Sequence, residues 1–382
     1  MKQTLFLIYL SCSTVLFAQQ DPLHKNPTFV YAPEVLTGLT LPANDGFPGR
    51  GPHKQLLLNF GKNHKASPQE WAHRLKHPTT GIGFGVSDFG NLNALGLAFS
   101  VVPYIQFKAF KNKNLSVLTG IGASYFTKKF DPVTNPDNQA VTTDITWAYR
   151  TFLYYTFVRG HKFDWRSGLG YSHHSNGHSR LLNQGYNSFL LSVSAVYKKP
   201  FKNGEVAVKS KPGPFKKSRY PYFGLRAGLG ANVLALAYNN TKPVYTLSAT
   251  YGTVHNNVFR FGVGAHYRFY QHYYDYIREG GSLVLAGREF ENFTKRPFIN
   301  ASAVGVTAHG EFLLNHVGIE LQLGFNLYKP AYKIEWRINE GWDNTPREIP
   351  EFWVLGEYTT KYKLKQYISS RIGLKYYLMG TE

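Results

Sequence analysis

Three polar residues, His173, Ser175 and Asn187, end two otherwise apolar stripes of the sequence. Side chains alternate between two faces along a β-strand, so His173 and Ser175 are neighbours on one face. At that spacing an imidazole can act as general base toward a hydroxyl. Asn187, on the same face of the next predicted strand, can hold the imidazole in one tautomer. The spacing is therefore compatible with acyl transfer to water, with Ser175 as nucleophile, His173 as base and Asn187 orienting it.

Two strands joined by a polar loop must position these residues. The first is predicted at 163–175 and the second at 186–197, which together form a hairpin at 163–197. In both strands one face is mostly apolar and the other is polar or glycine. The loop-proximal end of the apolar face carries the three polar residues.

The start of the connecting loop offers groups that could stabilise an oxyanion. Asn176 supplies a side-chain amide, and Gly177 supplies a backbone N–H. Serine and histidine also meet on strands for reasons unrelated to catalysis. The same residues could instead be interfacial polar groups that solvate lipid headgroups.

Composition points to a membrane β-barrel. The 382 residues include 27 Tyr, 28 Phe and 36 Gly, with only 17% charged residues. The mean hydropathy of −0.30 requires that apolar residues alternate with polar ones. Beyond the N-terminus no apolar run approaches the roughly 18 residues of a membrane-spanning helix. Aromatic residues and period-two alternation are typical of barrels whose outer face meets lipid.

Alternation recurs along the chain in about 14 segments, and this number predicts an all-β, antiparallel transmembrane β-barrel of 12 to 16 strands. A soluble sheet also alternates, but rarely over a dozen segments with charges confined to one face. Longer segments at 127–144, 176–185, 271–296 and 329–350 are predicted to be outer loops. A basic linker at 201–218 is long for a turn on the inner side. The candidate strands are 30–41, 55–62, 80–88, 94–107, 115–125, 145–158, 163–175, 186–197, 223–233, 244–251, 258–269, 298–307, 317–327 and 371–378.

The N-terminus indicates export. Lys2, an apolar core at 5–10 and Phe17-Ala18 before two glutamines are typical of a secretory signal peptide at 1–18, cleaved near Ala18. The barrel is then expected to occupy 19–382. The single cysteine, Cys12, lies within the predicted peptide, so no disulfide is expected in the mature chain.

The formal net charge of +20 favours an anionic partner. Nucleic acid is not expected for an exported, strand-rich chain. The phosphates of lipopolysaccharide in an outer membrane are the expected partner, and a simple effect of charge on solubility is the alternative.

Three histidines lie close together in the sequence and suggest a metal site, namely His173, His174 and His178. His174 falls on the opposite strand face from His173, and no carboxylate accompanies the three. Neither a metal nor a cofactor is therefore predicted.

The motif His173-His174-Ser175-Asn176-Gly177, followed by Gly185-Tyr186-Asn187, resembles the lipid A 3-O-deacylase family of outer-membrane β-barrels. It also resembles larger bacterial relatives labelled acyloxyacyl hydrolases. The length of this chain agrees better with those larger relatives than with a compact deacylase. The resemblance implies Ser175 as nucleophile, His173 as base, Asn176 at the oxyanion hole and ester-linked acyl chains of lipid A as substrate. The family has an acidic residue where this chain has Asn187.

The sequence is compatible with two functions. The first is an outer-membrane esterase that removes acyl chains from lipid A. The alternative is a non-enzymatic outer-membrane barrel, porin-like or a scaffold, with a degenerate motif. An amide at Asn187 can orient a histidine but cannot stabilise imidazolium by charge, so the motif alone leaves both open.

Overall fold

The computed structural model describes residues 28–43, 47–65, 67–109, 114–198, 215–340 and 364–381. Within these ranges the chain forms fourteen antiparallel strands and a few short helices. The predicted all-β antiparallel class and strand number are confirmed. The signal peptide predicted at 1–18 and most of the 201–218 linker lie outside the described residues.

The strands divide into two sheets, a division that the sequence analysis did not predict. The first eight form a closed barrel in which β1 pairs with β8 as well as with β2. These strands are β1 (Thr28–Leu41), β2 (His53–Asn63), β3 (Thr79–Asp88), β4 (Leu97–Lys108), β5 (Leu115–Phe126), β6 (Ile145–Arg159), β7 (Phe163–Ser175) and β8 (Tyr186–Lys198).

The remaining six strands form a second antiparallel sheet in the order β14-β13-β12-β11-β10-β9. Among the described residues, its edge strands β9 and β14 pair on one side only. The strands are β9 (Arg219–Asn232), β10 (Lys242–His255), β11 (Phe259–Tyr270), β12 (Ser302–Leu314), β13 (Val317–Tyr328) and β14 (Ile368–Tyr376).

The barrel carries apolar side chains outside and polar ones inside. Leu39, Leu169 and Leu191 are each about 60% exposed on the outer face. Glu34 and Arg150 are buried inside and form an ion pair at 3.1 Å. Because an eight-stranded barrel is only wide enough to be filled by side chains, its interior is a packed core and not a channel.

Tyr154 and Asn59 complete the network around this buried pair. Tyr154 Oη donates to Glu34 Oε1 at 2.7 Å, and Asn59 Nδ2 donates to Glu34 Oε2 at 3.0 Å. Arg150 Nη2 donates to Tyr154 Oη at 2.8 Å. The carboxylate therefore has charged or hydrogen-bonded partners at both oxygens, which a buried charge requires.

The end of the barrel at which β7 finishes is termed the Ser175 end. The 127–144 and 176–185 loops leave from this end, and an aromatic cluster closes the interior beneath them. Phe89, Phe126 and Tyr186 pack there, with ring centroids 4.1 Å apart for Phe89 and Tyr186 and 4.9 Å for Phe126 and Tyr186.

The helices are short and lie in connections. Helix α1 (Glu70–Arg74) follows β2 at the opposite end of the barrel. Helix α2 (Gln271–Arg278), a 3₁₀ turn (Glu291–Lys295) and helix α3 (Pro297–Asn300) lie between β11 and β12, and helix α4 (Tyr332–Glu340) follows β13. None of the helices within the described ranges has the length and apolar character needed to cross a membrane.

The two sheets touch at both ends of the barrel. Trp71 and Ala72 of α1 pack with Val258, and Asn257 Nδ2 donates to Glu70 Oε2 at 3.0 Å. At the Ser175 end, residues 233–241 of the β9–β10 connection contact the 176–185 loop. The second sheet is therefore anchored to the barrel beside the predicted site.

Candidate active site

Antiparallel pairing sets His173 directly opposite Asn187. These residues are partners in the register between β7 and β8. His173 follows the exposed apolar stripe of β7, where Leu169 is 59% exposed, and Asn187 precedes that of β8, where Phe189 is 53% exposed. The predicted site therefore lies on the outer surface of the barrel, at its Ser175 end, and not in the interior.

A short hydrogen bond joins His173 to Asn187. The Nδ1–H of His173 donates to Asn187 Oδ1 over 2.8 Å, since an amide oxygen can only accept. Tyr171 Oη donates to the same oxygen at 2.7 Å and so helps to fix the amide. With its proton on Nδ1, the neutral imidazole leaves Nε2 unprotonated, which is the state a general base needs.

The hydroxyl of Ser175 accepts two hydrogen bonds from N–H groups of the following loop. Gly177 N donates to Ser175 Oγ at 3.1 Å, and Asn183 Nδ2 donates to it at 2.9 Å. Both bonds use lone pairs of the oxygen and leave its proton available. Backbone and amide N–H groups are also the donor types that form oxyanion holes, and here both are bonded to the hydroxyl itself.

Gly185 packs against both the imidazole of His173 and the β-carbon of Ser175. A β-carbon on Gly185 would stand 3.3 Å from His173 Cε1 and 3.6 Å from Ser175 Cβ. Its φ of +71° is also one that side chains with a β-carbon rarely adopt. Among the described residues the hydrogen bonds of Ser175 Oγ do not include one to His173, so the imidazole and the hydroxyl share one strand face without a hydrogen bond between them. Catalytic hydrogen bonds often tighten only when substrate binds.

The side chain of Asn176 is directed into the loop. It is 6% exposed, and its Nδ2 donates to Arg180 O at 2.8 Å and to Thr142 Oγ1 at 3.3 Å. Its Oδ1 accepts from His178 N at 3.0 Å. The amide thus fixes the course of the 176–185 loop, while Gly177 N and Asn183 face Ser175.

His174 lies on the interior side of β7, as its position in the strand predicts. It is 2% exposed and stands edge-on to Phe89 and Phe126, with both centroid distances at 5.7 Å. It therefore belongs to the aromatic cluster, on the other side of the strand from His173. Across the part of the chain that the structure describes, no three His, Cys, Asp or Glu side chains are arranged to hold a metal ion.

Sequence analysis did not identify Asn183, Tyr171 or Gly185 as parts of the site. Asn183 lies in a loop that has no periodicity, and its bond to Ser175 depends on how that loop folds back. Tyr171 lies two residues before His173 on the same face, so alternation could have identified it. Gly185 belongs to the quoted motif, but the close approach that it permits is visible only in three dimensions.

Two family models match successive parts of the chain. Residues 59–195 match lipid A 3-O-deacylase (PagL), and residues 222–338 match the acyloxyacyl hydrolase C-terminal domain. The first match falls within the closed barrel and includes the site; the second falls within the six-stranded sheet and its loops. The search of curated proteins found no match.

Solved structures with some likeness to this chain are membrane barrels of low sequence identity. The crystal structure of the outer membrane enzyme PagL is 16% identical, with a TM-score of 0.31, over 43% of this chain and 97% of that one. The outer membrane protein AlkL in lipid bilayers is 12% identical, with a TM-score of 0.26, over 48% and 96%. A de novo designed transmembrane β-barrel is 13% identical, with a TM-score of 0.24, over 46% and 98%.

The two family matches succeed one another along the chain and coincide with its two sheets, and the motif on which the resemblance rested lies inside the first. The resemblance to the lipid A 3-O-deacylase family is therefore confirmed for the barrel, whose residues 59–195 match that family's model, and residues 222–338 of the second sheet match the acyloxyacyl hydrolase C-terminal domain.

Proposed function

We propose that this protein is an outer-membrane esterase that removes ester-linked acyl chains from lipid A. The single observation that carries the proposal is the set of groups around Ser175 Oγ. The hydroxyl accepts N–H bonds from Gly177 and Asn183 and lies next to an imidazole held by Asn187. Nucleophile, base and oxyanion donors are thus gathered on the lipid-facing side of the barrel.

The first step forms an acyl-enzyme. Ser175 Oγ attacks the ester carbonyl carbon while its proton passes to His173 Nε2. The carbonyl oxygen becomes an oxyanion, and in this scheme the N–H groups of Gly177 and Asn183, which donate to Ser175 Oγ in the free protein, transfer their hydrogen bonds to it. The intermediate collapses when the C–O bond to the sugar breaks, and the leaving oxygen takes the proton from His173.

The second step releases the acyl chain. Water gives its proton to His173 Nε2 and attacks the acyl-enzyme carbonyl carbon. The same donors stabilise the second oxyanion, and Ser175 recovers its proton as a fatty acid leaves. In this scheme Asn187 keeps the imidazole oriented, and Asn176 holds the loop that presents Gly177 and Asn183.

The surroundings of the site fit an amphiphilic substrate that carries phosphates. Acyl chains would lie along the exposed apolar stripes that lead to His173 and Asn187. Exposed Lys128 and Arg180 lie on loops at the same end and can attract phosphates. This arrangement supports lipopolysaccharide as the anionic partner expected from the net charge.

Mass spectrometry of lipid A from cells that express each variant tests the proposal. Ser175→Ala should abolish loss of an acyl chain, and His173→Ala should do nearly as much because members of one catalytic unit are non-additive. Asn183→Ala should lower kcat by about 10²–10³, the usual cost of losing one oxyanion donor.

His174→Ala is the matched control, since it removes a neighbouring imidazole on the interior side. It should keep far more activity than His173→Ala. Heat-modifiable migration on gels reports barrel assembly for every variant. An active Ser175→Ala protein would refute the mechanism, and unchanged lipid A on expression of the assembled wild type would favour the non-enzymatic barrel.

A further inference from the structure

We propose that Asn239 and Thr241, in the second sheet, are positioning residues for the active site in the barrel. They belong to the 233–241 connection between β9 and β10 and hold the 176–185 loop. The inference rests on the proposed function for its catalytic consequence. Its structural part, that the second sheet orders this loop, can be tested without activity.

One peptide group links the second sheet to the catalytic motif. The carbonyl oxygen of Arg180 accepts from Asn176 Nδ2 at 2.8 Å. The N–H of the same peptide, on Leu181, donates to Asn239 Oδ1 at 2.7 Å. Asn239 is therefore connected through a single planar unit to the residue that follows Ser175.

Two further hydrogen bonds complete the contact. Asn239 Nδ2 donates to Leu181 O, so the amide engages both backbone groups of that residue. Thr241 Oγ1 donates to Ser179 O at 2.7 Å. Three bonds thus fix the middle of the loop whose two ends present Gly177 N and Asn183 Nδ2 to Ser175.

The 233–241 connection is itself held by the core of the second sheet. Leu234 and Ala235 are buried among aromatic and aliphatic residues of α2 and α4. Asn339 Nδ2 of α4 donates to Leu234 O at 3.1 Å. The connection is therefore fixed where it leaves β9.

An ion pair fixes the connection where it enters β10. Lys242 Nζ lies 2.5 Å from Asp275 Oδ2 of α2. Burial alone would raise the pKa of Asp275, but hydrogen bonds from Lys242 and Gln271 lower it below its ordinary value. The carboxylate is thus charged at neutral pH, and the contact of Asn239 and Thr241 with the 176–185 loop, termed the clamp, is held at both ends of the connection.

A positioning role has a specific kinetic consequence. The loop holds donors that act on the oxyanion, which exists only in the transition state and intermediate, so loosening the loop should lower kcat and leave KM nearly unchanged. Misplacement of catalytic groups by about 1 Å costs about a hundredfold in rate. We expect a decrease in kcat of about ten- to a hundredfold for Asn239→Ala.

The experiment compares Asn239→Ala, Thr241→Val, Asn239→Asp and the control Asn240→Ala in the full-length protein. Asn240 is exposed on the same connection, and its side chain makes no hydrogen bond within the described residues. Asn239→Asp keeps the acceptor for Leu181 N–H and loses the donor, so it should restore part of the lost kcat. Deacylation kinetics use purified lipid A in mixed micelles.

Cleavage by trypsin after Arg180 gives a second readout that is independent of activity. The bond cleaved is the peptide whose N–H Asn239 holds, and the Arg180 side chain is exposed. Asn239→Ala should be cut there at least about tenfold faster than the wild type, with Asn240→Ala unchanged. The peptide that ends at Arg180 is quantified by mass spectrometry.

The outcomes separate this inference from the proposed function. Lower kcat at constant KM, with faster cleavage at Arg180, supports the clamp. Wild-type kcat and wild-type cleavage in Asn239→Ala overturn it, and Thr241→Val decides in the same way if Asn239→Ala fails to assemble. If the wild type does not deacylate lipid A, the proposed function fails, and the rate of cleavage at Arg180 in Asn239→Ala relative to the wild type alone decides whether the clamp exists.

Discussion

An amide takes the place of the acid that orients histidine in many hydrolases. Asn187 Oδ1 is 2.8 Å from His173 Nδ1 and also accepts from Tyr171, so orientation is preserved. An amide carries no charge, however, and cannot stabilise the imidazolium that forms when Ser175 loses its proton. At this position, orientation and charge stabilisation are therefore separable.

The first prediction follows from that separation. Asn187→Ala should lower kcat by removing the orienting bond, with an effect smaller than that of Ser175→Ala. Asn187→Glu supplies a charge beside His173 and should raise kcat above the wild-type value. Initial rates of fatty acid release from lipid A measure both. Equal rates for Asn187→Ala and the wild type would show that the 2.8 Å bond has no part in turnover.

The second prediction concerns the space above His173. A methyl group at Gly185 would stand 2.8 Å from His174 O and 3.3 Å from His173 Cε1. Gly185→Ala should therefore displace the imidazole and lower kcat by about tenfold or more.

Gly287→Ala is its matched control. Gly287 has a similar φ of +75°, and nothing lies within 4 Å of its hypothetical β-carbon. It carries the same backbone strain without a clash at the site, so its kcat should stay at the wild-type value. If kcat fell equally in Gly185→Ala and Gly287→Ala, backbone strain alone would explain the decrease.

At the residue scale, strand alternation identified part of the site from sequence. It placed His173, Ser175 and Asn187 on one face and His174 on the other, and the structure has the same arrangement. Alternation carries no information about loops. The approach of Asn183 to Ser175 therefore could not be derived, nor could the burial of the Asn176 amide in the loop.

At the element scale, the predicted bounds of a strand were accurate where turn residues interrupt the alternation of apolar and polar residues at the strand's ends. The predicted bounds of β7, 163–175, agree with the structure because a basic turn precedes the strand and Asn176-Gly177 follows it. The strand predicted at 298–307 begins instead at Ser302. Pro297 starts a short helix that includes Phe298, and Pro at the first turn of a helix is favourable. The apolar residues of that helix had been assigned to the strand.

The third prediction concerns the ion pair buried inside the barrel. Glu34→Gln leaves the buried guanidinium of Arg150 without its countercharge, which should lower the free energy of unfolding by about 3–5 kcal/mol. The exposed pair Lys129–Asp144, at 2.7 Å, is the control. Asp144→Asn should change stability by no more than about 1 kcal/mol.

Urea titration of each variant in detergent micelles, followed by heat-modifiable migration, measures both values. If Glu34→Gln unfolds at the wild-type urea concentration, the interior network does not contribute to barrel stability.

At the scale of the whole molecule, sequence predicted the number of strands but not their division. Both sheets alternate with the same period of two, so nothing in the pattern marks where one ends. Closure depends on the pairing of β1 with β8, in which Leu41 faces Asn187. Pairings between residues so far apart in sequence leave no local signal.

The division into two sheets also separates the proposed catalytic residues from the residues that position them. The barrel contains every residue that we assign to chemistry, and the second sheet adds the clamp at Asn239 and Thr241. An eight-stranded enzyme with a free loop would have to order that loop by itself. In this chain a neighbouring domain provides that order.

The outward placement of His173 and Ser175 also determines how substrate arrives. A site on the outer wall receives molecules that diffuse sideways within the membrane, so encounter takes place in two dimensions. Turnover should follow the mole fraction of lipid A in the bilayer: dilution with inert phospholipid lowers it, whereas dilution of the vesicles with buffer does not. Assays in reconstituted vesicles measure both series. For the proposed esterase, the mole fraction of lipid A in the membrane therefore takes the place of a substrate concentration in solution.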